Sequence, residues 1–452
     1  METGNDTDRK RRWPSAWAPA ALAVGLLAGW LPPAGAADDP SSGAANATGA
    51  AGFIHVGERD LQKVIDEAPP HSTVLCDPNR PMTLSVPVRI AKPLTLRGLN
   101  ARLPARLGGT PLVVVTAQDV SITDFELTGN GDSVSQDERA PLMMIGAGGF
   151  HVERGRFFNG SKDGLNVSTN AGDGRDIVGG VIRDIVGREV IRDTVSISGS
   201  GSDGASTGGR VRNVLVDNVR CYRSAKRGCV EVSDGTDHVT VRKVYAEDSV
   251  YGVDVQDHGQ AFQTNRHVTI EDVFALRCKH ALRTNNVPIG HACLTVRDIT
   301  AQACAEPVQI SNTDQVSLYN VRVIDHKGKG RPVYLRNCRG VSVRDVAIEN
   351  SDHEGPAVLL EDCDAALLDG LILRGDVARL TGAVSYRIRT DRAYTGLRIS
   401  NVLAPGWADA GILLEIADGK KGTLSDYLVS GNLARVTDRI RGPRGLIANN
   451  LP

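Results

Sequence analysis

The sequence predicts an all-β fold, a single-stranded right-handed parallel β-helix solenoid of about 10 to 12 coils with a capping helix at its N-terminal end. Two observations support this prediction. A short apolar strand recurs every 22 to 29 residues, and a second alternating strand recurs within the same units. Such units suit a β-helix coil better than a βαβ crossover, whose connection needs about a dozen residues or more. The dense Leu and Asn pattern of leucine-rich repeats, the main alternative, is missing.

The two recurring strands define each coil. The first strand occurs at residues 214–216, 239–241, 268–270, 294–296, 316–318 and 341–343. The second strand occurs at residues 230–232, 253–255, 282–284, 308–310 and 333–335. Because side chains alternate along a strand, the outer residues of each triplet face the interior and the middle residue faces outwards. A polar step and another apolar residue follow the first strand, which indicates that the chain continues beyond each triplet in the same way in every coil.

The N-terminal region predicts export. Residues 9–12 are basic, residues 18–31 are apolar, and residues 34–36 are small, as in a cleavable secretory signal. We interpret residues 1–37 as a signal peptide, 38–52 as a flexible linker rich in Ala, Gly and Ser, and 53–452 as the β-helix domain. A helix at residues 60–66 is expected to cap the open end of this domain. No later segment reaches the ~20 apolar residues of a membrane span, so we expect a secreted protein, periplasmic or extracellular.

Composition and cysteine spacing limit the possible ligands. The 52 basic and 53 acidic residues balance, so no overall field attracts nucleic acid or an anionic membrane. The eight cysteines lack C-x-x-C spacing, which argues against zinc. Cys278 and Cys304 lie one coil step apart, as do Cys338 and Cys363, so each pair forms either a disulfide or a stack of small apolar groups. The cysteines without a clear partner are Cys76, Cys221, Cys229 and Cys293.

The coil pattern, together with the opening segment from the helix through Val74 and Leu75 to residues 94–98, resembles the pectin lyase-like superfamily. The likeness covers nearly the whole mature chain. Members of this superfamily include polysaccharide lyases, polygalacturonase-type hydrolases, mannuronan epimerases and phage tailspikes. The resemblance therefore implies a polysaccharide partner, while the fold by itself does not name the reaction.

A column of outward-facing residues on the second strand is the candidate site. Its members are Asn166, Ser196, Glu231, Asp254, Arg283, Gln309 and Tyr334. Three consecutive members are charged, and adjacent carboxylates raise at least one pKa unless a cation lies between them. The candidate cations are Arg283, Lys226, Arg227, Lys279 or a bound Ca²⁺. The alternative interpretation is a ladder of salt bridges on a solvated sheet.

Neighbouring residues can complete such a site. The turns and strand ends around the column supply further polar groups, namely Gln256, Asp257, His258, Ser233, Asp234, Asn285 and His280. The small residues Cys229, Gly252 and Ala281 flank the column and are expected to leave a groove for a chain substrate. Tyr222, Tyr251 and Tyr334 are candidates for sugar stacking or proton donation.

The first functional hypothesis is a lyase or C5-epimerase that acts on an anionic, uronate-containing polysaccharide. Elimination needs a group that neutralises the carboxylate, a base for the C5 proton and an acid for the leaving oxygen, and epimerisation shares the first step. Arg283 is the candidate neutraliser, His258 or Lys226 the base, and Tyr251 or Tyr222 the acid. The full set of predicted catalytic residues is Arg283, Asp254, His258, Glu231, Lys226 and Tyr251.

The superfamily resemblance adds a possible metal. Lyases of this superfamily often bind Ca²⁺ through stacked carboxylates, and Glu231, Asp254 and Asp257 are the residues here that can imitate that arrangement. Residues 254–258 also resemble the Asp/His turn of mannuronan epimerases, although the intervening residues differ. No other cofactor is expected.

A hydrolase and a non-catalytic module are the other hypotheses. Residues 161–164 and 192–194 resemble the first two motifs of polygalacturonases, but Arg227 stands where their histidine motif is expected. Asp163 and Asp193 are then either a catalytic carboxylate pair or solvated turn residues. A carbohydrate-binding or surface solenoid would bind without turnover. We expect no nucleic-acid partner and no membrane span, and we expect a monomer, with the trimer of tailspikes as the alternative.

Overall fold

A computed structural model describes residues 52–135, 139–199, 208–258, 264–285, 290–404, 411–440 and 442–451. The predicted signal peptide and all but the last residue of the predicted linker lie outside these residues. The described chain is a right-handed parallel β-solenoid of about 13 turns, which confirms the predicted fold class. It has slightly more turns than predicted because strands of two or three residues near the ends carry too little alternation to be recognised. No helix among the described residues is long and apolar enough to cross a membrane.

The first sheet contains 18 parallel strands, mostly long in the middle of the solenoid and short at its ends. They are Phe53–His55, Thr73–Leu75, Met82–Thr83, Thr95–Arg97, Asn100–Arg102, Ser121–Thr128, Phe150–Phe158, Ile177–Arg188, Val211–Tyr222, Asp237–Glu247, Asn265–Leu276, His291–Gln302, Thr313–His326, Arg339–Ser351, Asp364–Arg374, Arg398–Leu403, Leu428–Ser430 and Leu446–Ala448. The first strand of every predicted coil lies in this sheet.

The second sheet contains 14 parallel strands and carries the predicted column. They are Val88–Ile90, Val113–Val115, Met143–Ile145, Leu165–Ser168, Val195–Ser198, Gly228–Ser233, Tyr251–Gln256, His280–Asn285, Val308–Ser311, Val333–Arg336, Pro356–Glu361, Gly382–Ile388, Ile412–Ile416 and Val436–Asp438. A two-stranded third sheet pairs Ala393–Thr395 with Thr423–Ser425, and short 3-10 helices lie at Gly131–Ser133 and Thr169–Ala171.

The long strands of the first sheet bend at a left-handed residue. The bend falls on the polar step that follows each apolar triplet, for example at Asp184, Asn218 and Asp298, whose φ angles are 55°, 57° and 59°. Asn and Asp tolerate this conformation better than most residues. These side chains also bond from coil to coil, since the amide Asn218 Nδ2 donates to the carboxylate Asp184 Oδ1 over 2.6 Å and Asn320 Nδ2 donates to Asp298 Oδ1 over 2.7 Å.

The capping helix is Leu61–Glu67, one residue later than predicted because Asp60 is its N-cap. The Asp60 carboxylate accepts a hydrogen bond from Lys63 N over 2.8 Å, which satisfies a backbone donor at the open helix end. Leu61, Val64 and Ile65 are buried, as their spacing predicted. The helix therefore places its apolar face on the solenoid core.

All eight cysteines are free thiols, and seven of them are buried. The stacked arrangement, rather than a disulfide, thus holds for both predicted pairs. A contact that the sequence did not reveal joins the Cys221 and Cys229 side chains, which come from two different strands of one coil. We expect the protein unfolded without reductant to release eight thiols in a colorimetric thiol assay. A count of six or fewer would mean that at least one pair of cysteines is oxidised.

Candidate active site

The second sheet places the predicted column in register. Glu231 pairs with Ser196 on one side and with Asp254 on the other, and Asp254 pairs with Arg283. The remaining members continue the same row in both directions. The environment of the row differs from the solvated ladder considered above, because Glu231 and Asp254 are buried. Charges in such a place require partners, since an unpaired buried charge is very costly.

Asp163, Asp193 and Glu231 form a buried acidic cluster together with two arginines. Arg192 Nε lies 3.3 Å from Asp163 Oδ1, and Arg192 Nη2 lies 3.8 Å from Glu231 Oε2. Arg227 Nη1 contacts Glu231 Oε1 directly and lies 3.8 Å from Asp193 Oδ2. Arg192 Nη2 also lies 4.0 Å from Asp193 Oδ2, so Arg192 contacts all three carboxylates and Arg227 contacts two of them; the three carboxylates come from three successive coils.

Burial governs the protonation of this cluster. It raises the pKa of Asp193 well above its ordinary value, and the nearby Glu231 and Asp163 carboxylates raise it further. Burial also raises the pKa of Asp163, although the Arg192 guanidinium opposes the change. Two guanidinium groups can balance two of the three carboxylates, so a proton retained on Asp193 leaves the cluster neutral.

Tyr251 positions Asp193, and Gly228 leaves the space that Tyr251 needs. The Tyr251 hydroxyl donates to Asp193 Oδ1 over 2.6 Å, and the tyrosine is fully buried. Gly228 is opposite Tyr251 in the neighbouring strand, and a Cβ on this glycine would lie 1.9 Å from Tyr251 O. Only glycine fits there. The structure therefore gives Tyr251 a positioning contact with Asp193, and its hydroxyl does not reach the surface where a proton donor would act.

Asp254 and Arg283 form a second, adjacent ion pair. Arg283 Nη2 donates to Asp254 Oδ2 over 2.7 Å, and the guanidinium lies over the Tyr251 ring, 4.8 Å from its centroid. Burial raises the pKa of Asp254 to about 6, while the arginine opposes the change. The pair is thus close to its titration midpoint in weakly acidic solution.

His258 is oriented by Asp234. The His258 Nδ1 atom lies 2.7 Å from Asp234 Oδ2, and the backbone His258 N donates to Asp234 Oδ1 over 3.0 Å. Burial lowers the pKa of His258, but the hydrogen bond to Asp234 and the charge of that carboxylate outweigh it and leave the pKa raised. Because Nδ1–H faces Asp234, the lone pair of the neutral ring is on Nε2, 2.6 Å from Gln256 Nε2 and 3.9 Å from Glu231 Oε1.

The accessible part of the site is cationic. The side chains of Arg192, Arg227, Arg283 and His258 are 24%, 22%, 21% and 25% exposed. The carboxylates that they contact lie beneath them and are at most 2% exposed. A ligand approaching this part of the second sheet therefore meets guanidinium groups and an imidazole, whose charges the buried acids hold in place.

Several predicted residues do not join this site. Lys226 is exposed, and its neighbour Arg227 contacts Glu231 instead. His280 is buried and bonded to Glu306 O, and burial lowers its pKa to about 3. Tyr222 packs against Tyr245 at the end of a first-sheet strand, and Tyr334 donates to Glu361. The flanking small residues are themselves buried, so they pack in the interior and do not open the expected groove; they are Cys229, Gly252 and Ala281.

The predicted Ca²⁺ ligands do not fit a metal. Among the described residues, Asp237, His238 and His267 are the one group of three possible ligand residues whose atoms lie within 4.8 Å of one another. Glu231, Asp254 and Asp257 do not form such a group, since Glu231 accepts from Arg227 and Gln256, and Asp254 accepts from Arg283. Arginine occupies the positions where a cation would have to bind, and we assign no step to a metal.

Two features of the site were not predicted from the sequence. Arg192 was not considered as a cation, although it bridges Asp163 and Glu231. The interpretation of Asp163 and Asp193 as solvated turn residues is wrong, because both are completely buried. Their separation of one coil was a usable signal, since each aspartate precedes a second-sheet strand at the same position of its coil.

The raised pKa of Asp254 predicts a pH-dependent stability. The unfolded chain releases this proton near pH 3.8 and the folded chain near pH 6, so the folded state holds the extra proton between these values. The stabilisation from this shift is present below about pH 4 and is lost as the pH rises through about 6, at a cost on the order of 2 kcal/mol. Urea unfolding at pH 4 and pH 7 measures it. We expect Asp254→Asn to lose less stability across this interval than the wild type, and equal losses would contradict the assignment.

Comparisons with known proteins concern the fold. No family model matches the sequence, and no curated protein matches it. Among solved structures, gene product 12 of bacteriophage phi29 aligns with 12% identity over 85% of this chain and 56% of that chain, with a TM-score of 0.44. The catalytic unit of an α-1,3-glucanase from Streptomyces thermodiastaticus aligns with 14% identity over 84% of this chain and 70% of that chain, with a TM-score of 0.46.

A mannuronan C-5 epimerase A-module from Azotobacter vinelandii aligns with 11% identity over 88% of this chain and 98% of that chain, with a TM-score of 0.36. The chain spans little more than half of the phage protein. The described residues form a parallel β-helix, as the sequence repeat predicted. These likenesses leave the activity to be argued from the site.

Proposed function

We propose that the protein is an exported enzyme that processes an acidic, uronate-containing polysaccharide by abstracting the C5 proton of a uronate residue. The observation that carries the proposal is the arrangement of charge. Arg192, Arg227, Arg283 and His258 reach solvent, whereas the carboxylates lie beneath them. The exposed groups of this surface are hydrogen-bond donors, and guanidinium groups bind carboxylates with two parallel hydrogen bonds.

The arginines bind and neutralise the substrate carboxylate. A uronate C5–H becomes acidic enough to remove only when the adjacent carboxylate is neutralised, because the charge that develops on abstraction spreads into that group. Arg227 lies in the coil of Glu231, and Arg283 lies two coils further on, with the coil of Asp254 between them. Their buried carboxylate partners fix both guanidinium groups before substrate arrives.

His258 is the base. Asp234 holds Nδ1–H, and Nε2 lies 3.5 Å from Arg227 Nη2 and accepts from Gln256 Nε2 over 2.6 Å, a hydrogen bond that the substrate C5–H replaces. Nε2 takes the C5 proton, and the electron pair of the C5–H bond moves towards the carboxylate. In a lyase, this pair then forms the C4–C5 double bond while the C4–O4 bond breaks and O4 takes a proton from water. In an epimerase, C5 takes a proton from water on its opposite face.

The test is an assay of the mature protein on pectate, alginate and glycosaminoglycans, with a neutral glucan as control. A lyase produces the ultraviolet absorbance of an unsaturated uronate, and an epimerase incorporates deuterium at C5 in D₂O without chain cleavage. We expect one of these signals on an acidic substrate and neither on the neutral one. If no acidic polysaccharide is altered, and binding alone is measured, the protein is a non-catalytic module.

A glycoside hydrolase is the second candidate, and the buried acidic cluster favours it. Asp163 Oδ2 and Asp193 Oδ2 accept no hydrogen bond from any described residue, which is unusual for buried oxygens. A protonated Asp193 would be the acid and an ionised neighbour the base once the substrate displaces Arg192 and Arg227, which cover these carboxylates. Reducing ends without ultraviolet absorbance, abolished in Asp193→Asn, would support this candidate over the first.

A further inference from the structure

Two exposed histidines and an aspartate form a cluster on the first sheet, outside the candidate active site. His238 Nδ1 and His267 Nδ1 each lie 2.8 Å from Asp237 Oδ1. The two imidazole rings stack with centroids 4.4 Å apart and planes inclined by 24°. The histidine side chains are 61% and 45% exposed, so the cluster is open to solvent.

The backbone holds these histidines in place. His238 and His267 occupy equivalent positions on successive coils, and both have left-handed φ angles, 53° and 52°. Asn265 accepts hydrogen bonds from Gly235 N and Thr236 N, each over 3.0 Å, and so joins the two coils directly beside the cluster. A side-chain set built on paired strands loses little conformational freedom when it binds a ligand.

The donor set is that of a transition-metal site. Two imidazole nitrogens and one carboxylate oxygen are the protein ligands of many zinc centres that keep a position open for solvent. The three ligand atoms lie within 4.8 Å of one another, so small side-chain rotations suffice to bring them within metal-bond distance of one ion. Ca²⁺ and Mg²⁺ prefer sets of oxygen atoms and are disfavoured here.

We propose that Asp237, His238 and His267 bind a divalent transition-metal ion of the zinc type. The ion binds the two Nδ1 atoms and the Asp237 carboxylate, each imidazole carries its proton on Nε2, and the ion ties together two neighbouring coils. The site is separate from the proposed polysaccharide chemistry, because its three residues lie on strands of the first sheet, whereas Arg283 lies on the second sheet and Arg192, Arg227 and His258 lie beside strands of that sheet.

The test is titration of the untagged protein with Zn²⁺ by calorimetry, with Ca²⁺ as a comparison ion. We expect one Zn²⁺ per chain and a weakening of about 100-fold or more in His238→Ala and in His267→Ala, since loss of an outer partner alone costs about 10- to 100-fold. The matched controls are His151→Ala, an exposed histidine of the same sheet, and Cys293→Ser, the partly exposed cysteine one coil beyond His267. Both controls should bind as the wild type does.

Thermal unfolding supplies a second measurement. Zn²⁺ should raise the melting temperature of the wild type and leave the His238→Ala/His267→Ala double variant unchanged, because a ligand stabilises only the state that binds it. In chelator the double variant should melt as the wild type does, which shows that it is folded. Zinc binding that survives in the double variant, that is lost in either control, or that is absent from the wild type would overturn the proposal.

Discussion

His258→Gln is expected to lower turnover of the acidic polysaccharide by about 10²- to 10⁴-fold, the usual contribution of a positioned general base. Glutamine keeps a polar group near Asp234 but has no basic nitrogen at the position of Nε2. The ring is a quarter exposed and lies just beyond the strand Tyr251–Gln256, and in the variant the backbone N–H of residue 258 still donates to Asp234. Initial rates on the substrate identified above measure the effect, and His151→Gln is the matched control.

Asp234→Asn distinguishes a base from a structural histidine. The Asp234 carboxylate raises the pKa of His258 against the effect of burial, so its removal should lower that pKa. A base works only when it is deprotonated, and the acid limb of the rate profile should therefore move to lower pH. A rate that falls in Asp234→Asn with no movement of this limb, or an active His258→Gln enzyme, would reject His258 as the base.

Arg227→Met is expected to destabilise the fold by about 3 kcal/mol and to abolish activity. The substitution leaves Glu231 buried without the guanidinium that contacts it and removes the second cation near Asp193. Removal of one partner of a buried ion pair typically costs about 3 to 5 kcal/mol, because the remaining charge is uncompensated. Urea unfolding measures the loss in free energy of unfolding.

Two further variants show whether the cost comes from the buried charge. Arg227→Met/Glu231→Gln removes both charges and should recover part of the lost stability, although not the activity. Arg223→Met, from an exposed pair with Glu189, should cost less than about 1 kcal/mol. If the double variant is no more stable than Arg227→Met, the destabilisation arises from lost packing and the charge argument fails.

The sequence repeat explains which neighbours in space could be predicted from the sequence. A parallel solenoid repeats the same hydrogen-bonded step, so residues one coil apart in sequence become neighbours in space. The row through Glu231, Asp254 and Arg283 could therefore be placed from spacing alone, and the structure has it in that register. The same reasoning paired Cys278 with Cys304 but not Cys221 with Cys229, which come from different strands of one coil.

The sequence by itself determined the fold class, the helix at the N-terminal end and the row of the second sheet, because each follows from local periodicity. Burial and side-chain direction were decided only by the tertiary structure. Spacing cannot show that Arg227 turns towards Glu231 while Lys226 turns to solvent, or that Asp193 lies beneath Arg192. The direction of each charged side chain depends on whether the interior offers it an opposite charge. Those opposite charges come from several coils, so they are known only from the tertiary structure.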